Sequence, residues 1–189
     1  MKIGIDVDDT ITDSWKCVIP YYSRKFNIPE ETLHKSKPYY DAVKDKISFE
    51  EYYKQLLPIY DEVSPNVNIL DHVKETIDKL YEMGHKVYFI TSRGRDHTDP
   101  YGDTKVFLDR YHVKYDKIIT HAFDKAKICK EEDIGLFIDD SYKHCQSVSE
   151  LGIPVLMHET YYNKEYDEFI HFDDWSYVYE YVKVRWNNG

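Results

Sequence analysis

Apolar residues recur along the chain with two different spacings. Short, largely apolar runs are typical of strands that are buried on both faces, and they lie at residues 3–7, 87–90, 118–119, 136–138 and 155–157. Apolar positions three and four residues apart indicate amphipathic helices, and they lie at 69–83, 104–111, 126–132, 143–151 and 175–185. The two patterns alternate from residue 66 onward. Such an alternation predicts an α/β fold with a parallel sheet and helices on both faces.

Residues 14–65 interrupt this alternation, because they contain no strand-like run. Helical spacing predicts helices at 14–26 and 48–57, shorter ones at 30–34 and 39–44, and a returning loop at 61–65. We therefore expect a core domain built from residues 1–13 and 66–189, with a small all-helical cap at 14–65 inserted after the first strand. Such an insert is expected to shape a substrate pocket and exclude water. The alternative is a helical subdomain with no lid role.

Composition limits the classes of function. The net charge of −10 argues against a protein that binds nucleic acid polymers. No apolar run approaches the length of a membrane span, and the N-terminus lacks the core of a signal peptide. The three cysteines are widely spaced and odd in number, which is typical of reduced thiols in a cytoplasmic protein. We expect a cytoplasmic protein whose partner is a small molecule.

Polar residues follow the predicted strands at the points where these end. The first strand is followed by Asp6 and Asp8. Two later strands are followed by Thr91 and Ser92 and by Asp139 and Asp140. Lys125 begins a helix that lies, in sequence, between these two later strands. The carboxyl ends of parallel strands meet at one edge of a sheet, where open α/β sheets bind ligands. These residues are therefore expected to form one site.

The chemistry of this set fits phosphoryl transfer. Asp6 can attack phosphorus as a nucleophile, and Asp8 can protonate the leaving oxygen and then activate water. Oxygen ligands suit Mg²⁺, so we expect the ion to be held by Asp6, Asp139 and the backbone carbonyl of Asp8.

The remaining residues of the set can bind the phosphate. Thr91 and the amide of Ser92 can donate hydrogen bonds to its oxygens, and Lys125 can offset the developing negative charge. Each motif has a simpler interpretation when it is taken alone: a polar turn, the end of a strand, a surface lysine or a helix cap. Their ordered occurrence on strand ends favours the catalytic interpretation.

With these motifs in order, the sequence resembles the haloacid dehalogenase (HAD) superfamily of phosphatases, and within it the 5'(3')-deoxyribonucleotidases and related bacterial nucleotidases. The resemblance rests on Asp6-Val7-Asp8-Asp9-Thr10, on the Ile-Thr-Ser-Arg run at 90–93, on Asp124-Lys125 and on the Phe-Ile-Asp-Asp-Ser run at 137–141. It covers nearly the whole chain and places the helical insert where a C1-type cap belongs.

The resemblance implies a HAD-like Rossmannoid fold and assigns a role to each motif. It implies that Asp6 is the nucleophile, that Asp8 is the acid/base, that Asp6, Asp8 and Asp139 bind Mg²⁺, and that Asp140 supports them. Asp9 departs from the family pattern, which commonly has glycine there because the turn favours a positive φ. Lys127 competes with Lys125 for the lysine role, and we favour Lys125 because it is closer to the preceding strand end.

The sequence indicates the type of reaction more specifically than it indicates the substrate. The resemblance implies a nucleoside monophosphate, with a sugar phosphate or another metabolite phosphate as the alternative and a non-catalytic HAD-fold binding module as the alternative of another class. Arg93 and Arg95 follow the phosphate-binding strand end and could contact a second anionic group, or lie in a solvated loop. Trp15 and Tyr22 could stack on a nucleobase, or pack inside the cap.

Overall fold

The computed structural model of the chain describes residues 1–34, 40, 43–63, 66–94 and 97–186. The strands are β1 (Lys2–Ile5), β2 (Lys86–Ile90), β3 (Lys117–Ile119), β4 (Ile134–Asp139), β5 (Val155–His158) and β6 (Ile170–Phe172). The helices are α1 (Ser14–Phe26), α2 (Glu30–Leu33), α3 (Phe49–Val63), α4 (Val73–Glu82), α5 (Pro100–Arg110), α6 (Lys125–Glu131), α7 (Tyr142–Ser149) and α8 (Ser176–Trp186). In these described parts of the chain, no helix is both long enough and apolar enough to cross a membrane.

The strands form one six-stranded sheet in the order β3-β2-β1-β4-β5-β6. Every neighbouring pair is parallel, and β1 lies between β2 and β4 near the middle. The α/β fold with a parallel sheet is confirmed. The sequence prediction missed β6, whose three residues give too short a pattern to identify a strand.

Side chains of the buried strands point to both faces of the sheet and pack in two apolar clusters. In β4, Leu136 and Ile138 join the larger cluster with α4 and α8, whereas Phe137 joins a second cluster with residues of α6 and α7. Successive strand residues face opposite sides of a sheet, so the continuous apolar run of β4 reflects burial on both faces. The helices therefore cover both faces, as predicted.

The segment that carries α1, α2 and α3, called the helical insert below, is joined to the sheet by two neighbouring chain segments. Thr12 forms an antiparallel bridge with Ile69. The amide of Asn68 donates to the Asp13 carboxylate at 2.9 Å, and the amide of Asp13 donates to the Asn68 carbonyl at 3.2 Å. The insert thus leaves and re-enters the core at one place, directly after the acidic end of β1.

Three predicted element boundaries differ from the structure by four or more residues. Helix α3 continues through Pro58 to Val63, where a loop was expected from residue 61. Helix α4 begins at Val73 rather than at residue 69, because Ile69 is held by its bridge to Thr12. Helix α5 begins at Pro100 rather than at residue 104, since Asp99 caps it by accepting a hydrogen bond from the amide of Gly102. The short helix predicted at 39–44 lies largely outside the described residues.

Candidate active site

Asp6 and Asp8 lie where β1 ends and the chain turns toward the helical insert. The amide of Asp6 still donates to the carbonyl of Ile138 in β4 at 2.9 Å, so Asp6 prolongs the sheet by one residue. The carbonyl of Val7 then accepts from the amide of Ile11 at 3.0 Å, which closes a tight turn. Asp6 is buried, whereas the Asp8 side chain is 32% exposed. The turn therefore separates the environments of the two carboxylates.

Lys125 joins the first and the last acidic motif. Its Nζ lies 2.7 Å from Oδ1 of Asp6 and 2.6 Å from Oδ2 of Asp139, and its side chain is only 1% exposed. Lys127, the alternative considered from the sequence, is 67% exposed and pairs with Glu131 one helical turn away. Of the two lysines, the structure brings Lys125 to the acidic cluster.

Burial and the neighbouring charges have opposite effects on the pKa values of Asp6 and Lys125. Burial raises the pKa of Asp6 well above its usual range; Lys125 lowers it, and the carboxylates of Asp139, Asp140 and Asp8 raise it further. Burial alone would lower the pKa of Lys125, but the carboxylates of Asp139 and Asp6 more than reverse this effect and raise it. The lysine therefore stays charged, and burial together with the neighbouring carboxylates opposes the ionisation of Asp6 unless further positive charge is present.

The chemistry of the donor set fits a hard divalent cation. Within the described parts of the chain, Asp6, Asp139 and Asp140 are buried and each offers a carboxylate oxygen, with these atoms within 4.8 Å of one another. Carboxylate oxygens at such spacing suit Mg²⁺, and a cation would balance the excess charge around Asp6. Asp140, expected only in a supporting role, belongs to the same group of three carboxylates.

The Asp8 side chain pairs with Arg93. Nε and Nη2 of Arg93 each donate to one Asp8 oxygen at 2.7 Å, and Nη1 donates to the Thr104 hydroxyl at 3.2 Å. Arg93 was considered as a contact for the substrate, but in the structure it is buried and its guanidinium binds Asp8. Arg95 lies outside the described residues.

Thr91 and Ser92 lie at the end of β2, next to the lysine and the acids. The Thr91 hydroxyl accepts from the amide of Arg93 at 3.2 Å, and the Ser92 hydroxyl donates to the carbonyl of Ala122 at 3.1 Å. Nε2 of His144, in α7, lies 3.5 Å from the same serine hydroxyl. Burial, and next the nearby Lys125 cation, lower the pKa of His144 to about 4, so this imidazole is neutral near pH 7.

The two aromatic residues considered for base stacking lie inside the protein. Tyr22 has no exposed surface, and its hydroxyl is 2.8 Å from that of Tyr52 in α3. Trp15 is 3% exposed and stacks against Tyr161, with the ring centroids 6.2 Å apart. The structure thus places both rings in the packing of the insert, and neither is brought to the acidic group as a surface open to a substrate.

Several polar residues around the site were missed by the sequence analysis. Asp9, with φ of 59°, accepts from the amide of Trp15 at 2.8 Å and from the Ser14 hydroxyl, and its other carboxylate oxygen lies 3.2 Å from the Tyr162 hydroxyl. His158 donates from Nδ1 to the carbonyl of Asp9 at 2.7 Å. Burial raises the pKa of Tyr162 well above its usual range, as do Asp140 and Asp9, so this hydroxyl keeps its proton. A tyrosine-rich chain offered no signal that singles out Tyr162.

The fold is shared with solved structures of low sequence identity. A haloacid dehalogenase-like family protein from Streptococcus pneumoniae matches with a TM-score of 0.69 and 16% identity, over 96% of this chain and 97% of that one. A predicted phosphatase from Clostridium acetobutylicum matches with a TM-score of 0.74 and 14% identity, over 97% and 98% of the two chains. These matches establish the HAD-like fold.

Sequence comparison identifies the family to which the chain belongs within this superfamily. A nucleotidase from Clostridium acetobutylicum is 27% identical to this chain over 199 aligned positions, which cover 95% of this chain and 92% of the relative. The family model described as "5' nucleotidase, deoxy (Pyrimidine), cytosolic type C protein" matches residues 1–187. Together with the fold and the acidic site, this match shows that the chain belongs to the cytosolic type C 5'-nucleotidase family of HAD-superfamily phosphomonoester hydrolases.

Proposed function

We propose that this chain is a Mg²⁺-dependent nucleotidase that hydrolyses a nucleoside monophosphate through an aspartyl-phosphate on Asp6. One observation carries the proposal: Nζ of the buried Lys125 lies 2.7 Å from Oδ1 of Asp6, inside a group of carboxylates at the end of the central strand. A buried carboxylate with a fixed cation beside it is suited to be a nucleophile whose phosphorylated form is stabilised.

In the proposed first half-reaction, a carboxylate oxygen of Asp6 bonds to the phosphorus. The phosphorus–oxygen bond to the nucleoside breaks, and its electron pair goes to the leaving oxygen, which takes a proton from Asp8. In the second, Asp8 accepts a proton from water as the water oxygen bonds to phosphorus. The bond to Asp6 breaks, inorganic phosphate leaves, and both aspartates return to their initial states.

The other residues of the site would bind the phosphoryl group. Thr91 and Ser92 supply donors at the end of β2, and Lys125 faces the nucleophile from the start of α6. The charge of the transferred group spreads over its oxygens, so donors and a cation fixed in advance lower the barrier without reorganising.

Asp6, Asp139 and Asp140 would hold the metal ion, together with the backbone carbonyl of Asp8. When bound, Mg²⁺ supplies positive charge that neutralises the phosphate and orients it toward the nucleophile. The fit rests on three buried carboxylates within 4.8 Å of one another, which carry more negative charge than one lysine balances.

The nucleoside monophosphate is supported by the family description, which names a 5'-nucleotidase acting on deoxy and pyrimidine compounds, and by the relative that is named a nucleotidase. A sugar phosphate or another metabolite phosphate remains the second candidate. We also propose that residues 14–65 act as a C1-type cap over the core domain of residues 1–13 and 66–189, and that the protein works in the cytoplasm, where its three free thiols stay reduced.

The test measures phosphate release from deoxyribonucleoside, ribonucleoside and sugar monophosphates, with Mg²⁺ and with a chelator. Wild type is compared with Asp6→Asn, which keeps the shape of the side chain and removes the nucleophile. We expect release from dUMP or dTMP well above that from sugar phosphates, lost with the chelator and in Asp6→Asn. A preference for sugar phosphates would overturn the substrate, and substantial metal-dependent activity of Asp6→Asn would overturn the mechanism.

A further inference from the structure

The loop between β5 and β6, residues 159–169, reaches the acidic site from the β5 side of β4, whereas β2 lies on the other side, next to β1. Its residues 161–165 form turns rather than a helix or strand. Three consecutive residues of this loop, Tyr161, Tyr162 and Asn163, contact different parts of the site and of the helical insert. The loop therefore has the position needed to influence the carboxylates.

Asn163 fixes the loop to the backbone at the end of β4. It is almost completely buried, and its Nδ2 donates to the carbonyls of Asp140 and His158 at 2.8 Å each. Its Oδ1 accepts from the amide of Thr160 at 2.8 Å. Both amide protons and the amide oxygen are thus used, which defines one orientation of the side chain. The backbone of Asp140 and the loop are held at a fixed distance.

Tyr162 extends from this anchor to the carboxylates. Its hydroxyl donates to Oδ2 of Asp140, and it also lies 3.2 Å from Oδ2 of Asp9. The other oxygen of Asp140 accepts from the Thr10 hydroxyl at 2.9 Å. Two donors, one on each oxygen, define the plane of the Asp140 carboxylate.

The neighbouring Tyr161 joins the same loop to the helical insert. Its ring stacks on Trp15 of α1, with centroids 6.2 Å apart, and lies edge-on to the ring of His34, 4.9 Å away. A loop that is packed on the insert on one side and bonded to Asp140 on the other is restrained at both ends. The Tyr162 side chain, which the same loop carries, is consequently held in one conformation.

We propose that Tyr162 is a positioning residue for the metal site: its hydroxyl orients the Asp140 carboxylate toward Asp6 and Asp139. The inference rests on the proposed function, since it assumes that these carboxylates hold Mg²⁺. Groups that hydrogen-bond to a ligand from behind fix its orientation, and their loss commonly weakens metal binding by about 10- to 100-fold. Tyr162 itself does not touch the substrate in this scheme.

The test is a calorimetric titration of the full-length protein with Mg²⁺ in the absence of substrate. Tyr162→Phe keeps the ring and removes only the hydroxyl. We expect its dissociation constant for Mg²⁺ to rise by about tenfold. In assays with substrate, the Mg²⁺ concentration for half-maximal activity should rise by the same factor. At saturating Mg²⁺, KM for the nucleotide should return to the wild-type value, which a general loss of packing would not produce.

Tyr166→Phe is the matched control, because it removes a hydroxyl from the same loop at an exposed ring that stacks on Tyr142. Its Mg²⁺ affinity should equal that of wild type. Circular dichroism verifies that both variants are folded. Equal affinity of Tyr162→Phe and wild type would overturn the positioning role and leave the proposed function intact. A wild-type protein that binds no Mg²⁺ would overturn the metal site itself.

Discussion

The guanidinium of Arg93 binds both oxygens of the Asp8 carboxylate, with two nitrogen–oxygen distances of 2.7 Å. Such a bidentate pair fixes a carboxylate more narrowly than a single hydrogen bond does. Arg93 is in turn held by the hydroxyl of Thr104, which donates to the carbonyl of Pro100 at 2.7 Å. The start of α5 therefore determines where the proposed acid/base residue lies.

Replacing Arg93 by lysine should lower kcat by about tenfold, with a smaller effect on KM. Lysine keeps the charge but donates from one nitrogen, so the planar two-bond geometry is lost. The orientation of Asp8 then becomes less defined, and the loss of one well-placed hydrogen bond to a charged group corresponds to about 1.5 kcal/mol, or roughly tenfold in rate. Steady-state kinetics on the best substrate of the panel measures the effect.

A double-mutant cycle with Asp8→Asn shows whether Arg93 acts through Asp8. In the Asp8→Asn background, Arg93→Lys should cause little further loss. Additive losses would mean that Arg93 acts elsewhere, for example on the phosphate. Arg185→Lys provides the control, because Arg185 lies in the last turn of α8 over the ring of Tyr181 and should not affect kcat.

Lys125→Met should destabilise the metal-free protein by about 3–5 kcal/mol, because it leaves Asp6 and Asp139 buried without their cation. Lys127→Met, two residues along the same helix, should change the free energy of unfolding by less than about 0.5 kcal/mol, since that side chain is solvated. Urea unfolding with a chelator present measures both values. If the two variants lose equal stability, the buried ion pairs contribute no more than a surface lysine does.

The convergence of the acidic motifs could be predicted from the sequence, because parallel strands end at one edge of their sheet. That rule brings Asp6, Asp139 and Asp140 together, and Lys125, at the start of α6, lies beside Asp6 and Asp139 in the structure. The rule predicts only where the strands end. It does not say which way a side chain turns, so the pairing of Asp8 with Arg93 could not be anticipated.

The features that the sequence did not predict share one physical cause: in each of them, contacts with residues distant in sequence determine the local structure. Pro58 within α3 and the three-residue β6 contradict local preference, and tertiary packing decides such cases. Tyr162 acts on Asp140 across 22 positions of sequence from a loop without periodicity. Asp9 is an intermediate case: the turn predicted a positive φ from the family pattern, but not the hydrogen bonds that its carboxylate accepts.

Substitution of Asp9 separates the cost of its backbone conformation from the value of its hydrogen bonds. Asp9→Ala and Asp9→Gly both remove the bonds to Ser14 and Trp15, so both should destabilise the protein. At a φ of 59°, however, alanine is strained and glycine is not. The glycine variant should therefore be more stable than the alanine variant by about 1 kcal/mol.

Thermal or urea unfolding of the two Asp9 variants measures this difference. The same pair of substitutions at Asp78, inside α4, should give the reverse order, because glycine is unfavourable within a helix by about 1 kcal/mol relative to alanine. An alanine variant at position 9 as stable as the glycine variant would show that this turn relaxes without strain.

His144 should make the stability of the fold sensitive to mild acid. Its pKa is lowered to about 4 in the folded protein, by burial first and by Lys125 second, whereas an unfolded histidine titrates near about 6.5. The folded state therefore binds fewer protons in this range. The stabilisation from the neutral ring is fully present above about pH 6.5 and is lost as the pH falls from there toward about 4.

The measurement compares urea unfolding of wild type and His144→Gln at pH 7.5, 6 and 5. Glutamine has no charge to bury, so the free energy of unfolding of wild type should fall relative to that of the variant by about 1–2 kcal/mol at pH 5, a value reduced for the partial exposure of the ring. Other acids and histidines titrate in both proteins and cancel in the difference. Parallel curves for the two proteins would mean that His144 becomes protonated in the folded state as readily as in the unfolded one, and that its contact with Ser92 does not require the neutral ring.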